Sequence, residues 1–295
     1  MISMFLELAP IGFEQGLILA IVTTGIMIPF KLLNFPDLTA EGAYPLGGAI
    51  CAALLINGIN PIFATILASV CGGLIGIGTA FIHLRFKVNT LLAGIILSTM
   101  IYSINLKLMG KPNLALFDHI MLFSNIGQSC ITKIGILLLL NVSIITILYK
   151  FLLTEKGLRL RAVGLNPEFA TRQSVQISLY VFLGLFAGNF LASFAGSIMV
   201  QIQSYADINM GIGIVINALA ALLIGESIIG SSSLIRQISA PLLGAVIYQQ
   251  IQGVAIALGL LPSDLKLVTG SIVLLVISYK HIIISIKNAI IRYAK

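Results

Sequence analysis

Three acidic residues stand in strongly apolar parts of this 295-residue chain. Asp37 and Glu41 belong to the stretch F-P-D-L-T-A-E-G, and Glu226 lies near the end of a long apolar run. An ionised carboxylate in such surroundings is costly unless it faces water, a partner or a cavity. These side chains are therefore suited to contact a polar solute on its path, or to couple an ion to its movement.

The composition indicates what surrounds these carboxylates. Hydrophobic residues make up 58% of the sequence and charged residues 9%, against about 25% charged residues in a globular domain. Nine apolar runs approach the length that crosses a hydrocarbon core of roughly 30 Å. They are 12–30, 42–56, 61–82, 88–106, 131–153, 177–199, 209–229, 238–261 and 265–286. We predict an all-α polytopic membrane protein with one transmembrane domain, 1–295, and about nine transmembrane helices; a broken or re-entrant second run would make eight or ten.

The net charge of +7 is distributed unevenly. Thirteen of the seventeen Lys and Arg residues fall in one alternating set of loops or at the C-terminus, and four fall elsewhere. Positive residues collect in cytoplasmic loops of membrane proteins. The pattern predicts a cytoplasmic C-terminus, a cytoplasmic segment 154–175 and an outer N-terminus, which a re-entrant second run would reverse. It also explains the basic charge without a nucleic-acid partner.

The segment 154–175 is charged and turn-rich between two long apolar runs. Asn166 followed by Pro167 predicts a helix start, because Asn caps free amides and Pro is preorganised for the first helical position. We expect this helix to reach about Val175, and Gly164 to end the preceding turn in a left-handed conformation.

Such a helix would present Phe169, Thr171 and Arg172 to the cytoplasm. An apolar and cationic surface of this kind suits docking into a groove of another protein. The alternative is an amphipathic helix that rests on lipid headgroups.

Several kinds of site have no sequence signal. The chain contains no G-x-x-x-x-G-K-[ST] loop for nucleotide phosphates, and neither H-E-x-x-H nor G-x-S-x-G. Cys51, Cys71 and Cys130 lack the paired spacing of a disulfide framework or a metal site. We predict no catalytic residues, no metal and no cofactor in this chain.

Three separated stretches resemble membrane permeases of ATP-binding-cassette (ABC) importers, in the group related to branched-chain amino-acid permeases. The stretch G-L-R-L-R-A-V-G-L-N-P-E-F-A at 157–170 looks like their cytoplasmic coupling loop. The stretches L-L-N-F-P-D-L-T-A-E-G-A-Y-P-L-G-G-A at 32–49 and Y-S-I-N-L-K-L-M-G-K-P-N at 102–113 resemble a subgroup found with tryptophan- or tyrosine-type solute-binding proteins. The longer acidic coupling motif of other permeases is matched only at Glu168 and Ala170.

The resemblance implies a half-permease in the inner (plasma) membrane of a prokaryote. It would pair with a second copy, bind two ATPase subunits that hold the ATP, and receive a small polar solute from an extracytoplasmic binding protein. An amino acid of the aromatic or branched-chain type is the implied solute. The residues implied in ATPase coupling are Gly157, Arg159, Arg161, Ala162, Gly164, Asn166, Pro167, Glu168, Phe169, Ala170 and Arg172.

A faint internal repeat relates Asp37 in F-P-D-L-T-A-E-G to Asp207 in Y-A-D-I-N-M-G-I-G. Transporters often build their solute site from broken helices in corresponding positions of two repeats. The candidate pathway residues are Asp37, Thr39, Glu41, Gly42, Asn209, Asn217 and Glu226. Close helix packing is the alternative role for the glycines, and a solvated loop is the alternative for Asp207.

A different class of function, a secondary transporter driven by an ion gradient, would use Asp37, Glu41 and Glu226 as coupling carboxylates.

Overall fold

The chain folds into a bundle of long apolar helices. A computed structural model describes residues 2–124, 130–261, 264–271, 274–275 and 278. Within these residues seven helices are long and apolar enough to cross a membrane, and one further apolar helix is shorter. This confirms the predicted all-α polytopic membrane protein. Eight of the nine predicted runs are helical, and in the ninth, 265–286, the described residues 265–271, 274–275 and 278 are also helical.

The elements follow the apolar runs closely. They are α1 (Ile2–Met27), a π-helical turn (Ile28–Leu32), α2 (Ala40–Ile56), α3 (Pro61–Phe86), α4 (Thr90–Met109), β1 (Asn113–Ala115), α5 (Cys130–Leu153), α6 (Glu155–Leu165), α7 (Pro167–Arg172), α8 (Ile177–Gln203), β2 (Tyr205–Asp207), a 3₁₀ turn (Ile208–Gly211), α9 (Ile214–Ile229) and α10 (Leu234–Ala257). The strands β1 and β2 pair antiparallel, with Asn113 opposite Asp207. We call the two ends of the bundle the α6–α7 end and the hairpin end. The second name is for brevity and means the end where β1 and β2 pair, although these strands are not consecutive in the chain.

Local capping sets where two of the membrane helices begin. Asn60 accepts the backbone N–H of Ile62 at 2.9 Å ahead of α3, and Asn89 accepts that of Leu91 at 3.0 Å ahead of α4. An amide side chain at this position satisfies a backbone donor that the helix leaves free. Each apolar run therefore starts as a helix at a defined residue.

Helix α8 is the centre of one half of the bundle, where α2 and α3 pack against it. The contacts are close because glycines stand at the crossing points. A β-carbon on Gly196 would collide with the carbonyl oxygen of Tyr44, and one on Gly47 would collide with that of Ser193. Small residues allow this approach of helix backbones in membrane proteins. Helices α1, α9 and α10 form the other half, and α1 also contacts α8.

The second span is incomplete. The chain leaves the π-helical turn at the α6–α7 end, returns into the bundle as the non-helical segment 33–39, and forms α2 only from Ala40. Asp37 in this segment contacts Asn189, which lies twelve residues beyond the start of α8 and thus about 18 Å along that helix. Helix α2 therefore begins deep inside the bundle. This agrees with the broken or re-entrant second run that the sequence suggested.

The glycine contacts predict an effect on stability that depends on position. We expect Gly196→Ala to lower the free energy of unfolding by about 1–3 kcal/mol, because the added methyl group meets the α2 backbone. Gly135→Ala is the matched control: it is also helical, on α5, and a β-carbon there meets no atom within 4 Å. Thermal unfolding of the detergent-purified variants measures the difference. Equal melting temperatures for the two variants would contradict this packing.

Candidate functional site

The segment 154–175 forms two capped helices at one end of the bundle. Thr154 caps α6 by accepting the N–H of Gly157 at 3.3 Å, and Asn166 caps α7 by accepting the N–H of Phe169 at 3.0 Å. Pro167 is the first residue of α7, so the predicted helix start at 166–167 is confirmed. Helix α7 ends at Arg172, earlier than predicted.

Gly164 has a role that the sequence interpretation missed. It lies within α6, which continues to Leu165, and its backbone is not left-handed; the prediction that Gly164 ends the turn was wrong. Instead, a β-carbon on Gly164 would collide with the carbonyl oxygen of Leu32. Gly157 likewise lies directly against the backbone of Phe151 and Leu152 at the end of α5. The two glycines thus allow α6 to pack directly against the π-helical turn and the end of α5.

The outer side of α6 and α7 is an exposed surface with large apolar groups. The side chain of Leu165 is 84% exposed and that of Phe169 is 56% exposed, while Leu160 and Val163 point into the bundle. The cation Arg172 is also exposed. We call Leu158, Leu165, Phe169 and Arg172 the docking face.

The other predicted coupling residues surround the docking face. Arg159 is exposed and forms an ion pair with Glu155, whereas Arg161 and Ala162 are only half-exposed. Glu168 is exposed and Ala170 is buried. Leu165 was not singled out from the sequence, because only the tertiary fold separates the exposed leucines of α6 from the buried ones.

The carboxylate of Asp37 lies in a closed polar cluster inside the bundle. It is 2% exposed, and it accepts the backbone N–H of Thr39 at 2.8 Å and the side-chain amide of Asn189 at 2.8 Å. The hydroxyl of Thr39 bonds to Asp37 and also lies 2.6 Å from that of Thr79. In this conformation Asp37 and Thr39 are enclosed and hold the segment 33–39 in place.

A polar cavity of about 340 Å³ opens at the hairpin end between the two halves of the bundle. Its polar lining includes Gln15, Gln203, Asp207, Asn209, Asn217 and Gln249. Gln249 donates to Gln15 at 2.6 Å, and the hydroxyl of Tyr248 donates to Asn217 at 2.9 Å. The structure thus brings the predicted Asn209 and Asn217 together. The glutamines were missed because amide side chains in apolar runs match no known motif.

A second cavity, of about 250 Å³, lies between the first turn of α2, helix α4 and the turn at 208–212. The predicted Glu41 and Gly42 line it, together with Ser98, Thr99 and Asn105 of α4. Gly42 allows α2 to approach α4, since a β-carbon there would lie 2.9 Å from the Cα of Ser98. This packing role agrees with the alternative given for the glycines.

Glu226 is separate from both cavities. It pairs with Lys31 at 2.9 Å, where Lys31 belongs to the π-helical turn at the α6–α7 end. The predicted pathway residues therefore form three local pairs, 37 with 39, 41 with 42 and 209 with 217, and one distant member. They do not form a single site in this conformation.

The proposed repeat has a counterpart in local geometry. Asp207 accepts the backbone N–H two residues ahead, that of Asn209, at 2.8 Å, as Asp37 does from Thr39. Each turn precedes a membrane helix, α2 of 17 residues or α9 of 16 residues, and these two helices run in opposite directions through the bundle. An inverted repeat is expected to have this relation. Asp207 is half-exposed and lines the first cavity.

A helical membrane bundle with a broken span and a polar cavity between its halves is typical of transport proteins. Residues 11–278 match the family described as "Branched-chain amino acid transport system / permease component", and the chain belongs to this family. It is 36% identical over 274 residues to a tyrosine transport system permease protein of Clostridioides difficile (strain R20291), covering 93% of this chain and 92% of the relative. It is also 32% identical over 269 residues to an uncharacterized protein of Rickettsia prowazekii (strain Madrid E), covering 90% and 95%. No solved structure gave a significant match.

The Asp37 cluster predicts a loss of stability on substitution. Asp37→Ala leaves the amide of Asn189 and the N–H of Thr39 without their acceptor, and we expect the free energy of unfolding to fall by about 2–4 kcal/mol. Asp118→Ala, at an exposed position, is the matched control. Melting temperatures of the purified proteins report the effect; an Asp37→Ala protein as stable as the control would refute the structural role.

Proposed function

We propose that this chain is the membrane-spanning permease subunit of an ABC importer in a prokaryotic inner (plasma) membrane. The family match and the relative named as a tyrosine transport permease support an amino acid as the solute, of the aromatic or branched-chain type. The distribution of Lys and Arg supports a cytoplasmic location for the α6–α7 end and the C-terminus. The ATP would be bound by partner ATPase subunits.

The docking face is the observation that carries this proposal. Leu165 and Phe169 are large apolar side chains on the predicted cytoplasmic end, and Arg172 adds a cation three residues after Phe169 on α7. Apolar anchors with a charged neighbour are typical of protein interfaces. The face is also held rigidly, because Gly164 and Gly157 seat α6 directly on the helix ends beneath it.

Contacts lead from the docking face to the interior. Gly164 lies against Leu32, which ends the π-helical turn, and the next residue begins the segment that carries Asp37. Lys31 in the same turn pairs with Glu226 of α9. A displacement of α6 would therefore act on α2 and α9 together, the two helices whose first turns line the cavities.

The mechanism we propose is alternating access. ATP binding closes the ATPase subunits and carries α6 and α7 with them, and the spans repack to open the pathway to one face at a time. The cavity at the hairpin end would receive the solute from an extracytoplasmic binding protein, since that end is the predicted outer side. Asn209 and Asn217 would contact the solute there.

A second copy of the chain is proposed to pack across α4. The side chains of Thr99, Tyr102 and Ser103 are exposed on this membrane helix. Hydroxyl groups at membrane depth favour a protein or aqueous neighbour over lipid. The remaining outer surface, such as Leu138, Leu139 and Ile147 of α5, is exposed and apolar as a lipid-facing surface must be.

The ion-driven alternative has weaker support from the geometry. Its three coupling carboxylates lie in separate surroundings: Asp37 is held by Thr39 and Asn189, and Glu226 by Lys31. An ion-coupling carboxylate has to exchange its partner during transport, and only Glu41 lines a cavity.

The docking face predicts how the ATPase is held. We expect Leu165→Ala, Phe169→Ala and Arg172→Ala together to reduce recovery of the ATPase with the tagged permease by about tenfold or more, because such anchors contribute on the order of 1–2 kcal/mol each. A pull-down from the native membrane with mass spectrometry measures the recovery. Membrane insertion should be unchanged, since all three side chains are exposed.

The matched control is the triple alanine variant at Lys111, Phe117 and Ile120, which removes a similar exposed set at the hairpin end. It should retain the ATPase. Full recovery with the docking-face variant would remove the coupling proposal and favour a helix that rests on lipid headgroups.

A further inference from the structure

The cavity between α2 and α4 has an unusual set of polar groups. Glu41 contributes a carboxylate. Ser98 and Thr99 contribute hydroxyl groups that already donate to backbone carbonyl oxygens of α4: Ser98 to Ile95 at 2.9 Å, and Thr99 to Ile96 at 2.7 Å or Ile95 at 3.0 Å. The free capacity of these hydroxyls is therefore as acceptors.

Asn105 is the second observation that points to a ligand. Its side chain lines the cavity and is 1% exposed, yet neither its amide nitrogen nor its amide oxygen has a hydrogen-bond partner. Buried polar groups are nearly always paired, and an unpaired amide destabilises the empty state. We expect a polar ligand in the cavity to supply a partner to this side chain.

The lining also determines the charge of that ligand. The lining residues that the structure describes are Glu41, Gly42, Pro45, Ser98, Thr99, Tyr102, Asn105, Ile208 and Ile212. They include one carboxylate and no Lys, Arg or His. A site of this composition favours a ligand that brings the positive charge and the hydrogen-bond donors.

From these groups we infer that the cavity binds the primary ammonium group of the transported solute. Glu41 is the anionic partner, and the oxygens of Ser98, Thr99 and Asn105 accept the ammonium protons. The amide nitrogen of Asn105 remains free to donate to a carboxylate next to that ammonium group, as in an α-amino acid. The inference rests on the proposed transport function and assigns Glu41 and Asn105 as residues that determine specificity.

The backbone around the cavity keeps Glu41 in this position. Gly211 lies against the carbonyl oxygen of Glu41 and against Pro45, where a β-carbon would collide. On the other side Gly42 lies against Ser98. The first turn of α2, which carries Glu41, is therefore packed closely between α4 and the turn 208–211.

Three small probes separate the parts of the ligand. Tyramine carries the ammonium group alone, 3-(4-hydroxyphenyl)propionate carries the carboxylate alone, and L-tyrosine carries both. Binding to the purified full-length chain in nanodiscs is measured by saturation-transfer NMR. We expect tyramine and L-tyrosine to bind and to compete with each other, and the propionate to bind at least tenfold more weakly.

Substitution then tests the assigned residues. Glu41→Gln should weaken tyramine binding by about tenfold or more, because it removes the anionic partner but keeps the size of the side chain. Asp118→Asn, an exposed carboxylate outside the cavity, is the matched control and should bind tyramine as the unaltered chain does. Thr99→Val provides a second variant at an exposed position, with an expected loss of about threefold, in case Glu41→Gln does not fold.

Three results would overturn the inference: no binding of tyramine to the unaltered chain, binding of the propionate as tight as that of tyramine, or full tyramine binding in both folded variants. None of these depends on an ATPase. If the ATPase pull-down fails while tyramine binding behaves as expected, the importer proposal is wrong and the ammonium site stands.

Discussion

The carboxylate of Asp37 keeps a non-helical stretch of chain inside a membrane bundle. Backbone groups at this depth need partners within the protein, because lipid offers none. Asp37 supplies one to Thr39, and Asn189 and Thr79 complete the cluster. Because the segment 33–39 is held in this way, α2 begins at mid-depth, and Glu41 lies beside α4 in a cavity instead of at the membrane surface.

The same segment connects the interior to the α6–α7 end. Its first residues follow Leu32, on whose backbone Gly164 is seated, and its last residues lead into the first turn of α2. Close backbone contacts of this kind leave little room for independent movement. The docking face and the cavity at Glu41 are thus the two ends of one continuous route, and this is the physical basis of the coupling that we propose.

Local signals in the sequence were sufficient for much of the fold. Hydropathy located the eight apolar helices, and the cap at Asn166 and Pro167 located α7, because both effects act over a few residues. The family resemblance seen in 157–170 and in 32–49 was confirmed by the family match. Contacts between distant parts of the chain could not be predicted from such local signals. The close contact of Gly164 with the backbone of Leu32 and the burial of the unpaired Asn105 amide both depend on tertiary packing.

Hydrogen exchange at the amides of 33–42 tests the proposed coupling route most directly. The permease would be compared alone, with its ATPase and a non-hydrolysable ATP analogue, and as the triple alanine variant of the docking face. We predict that the ATPase changes exchange in 33–42 as well as in 154–175, and that the variant shows neither change. Changes confined to 154–175, with the ATPase bound, would contradict the account.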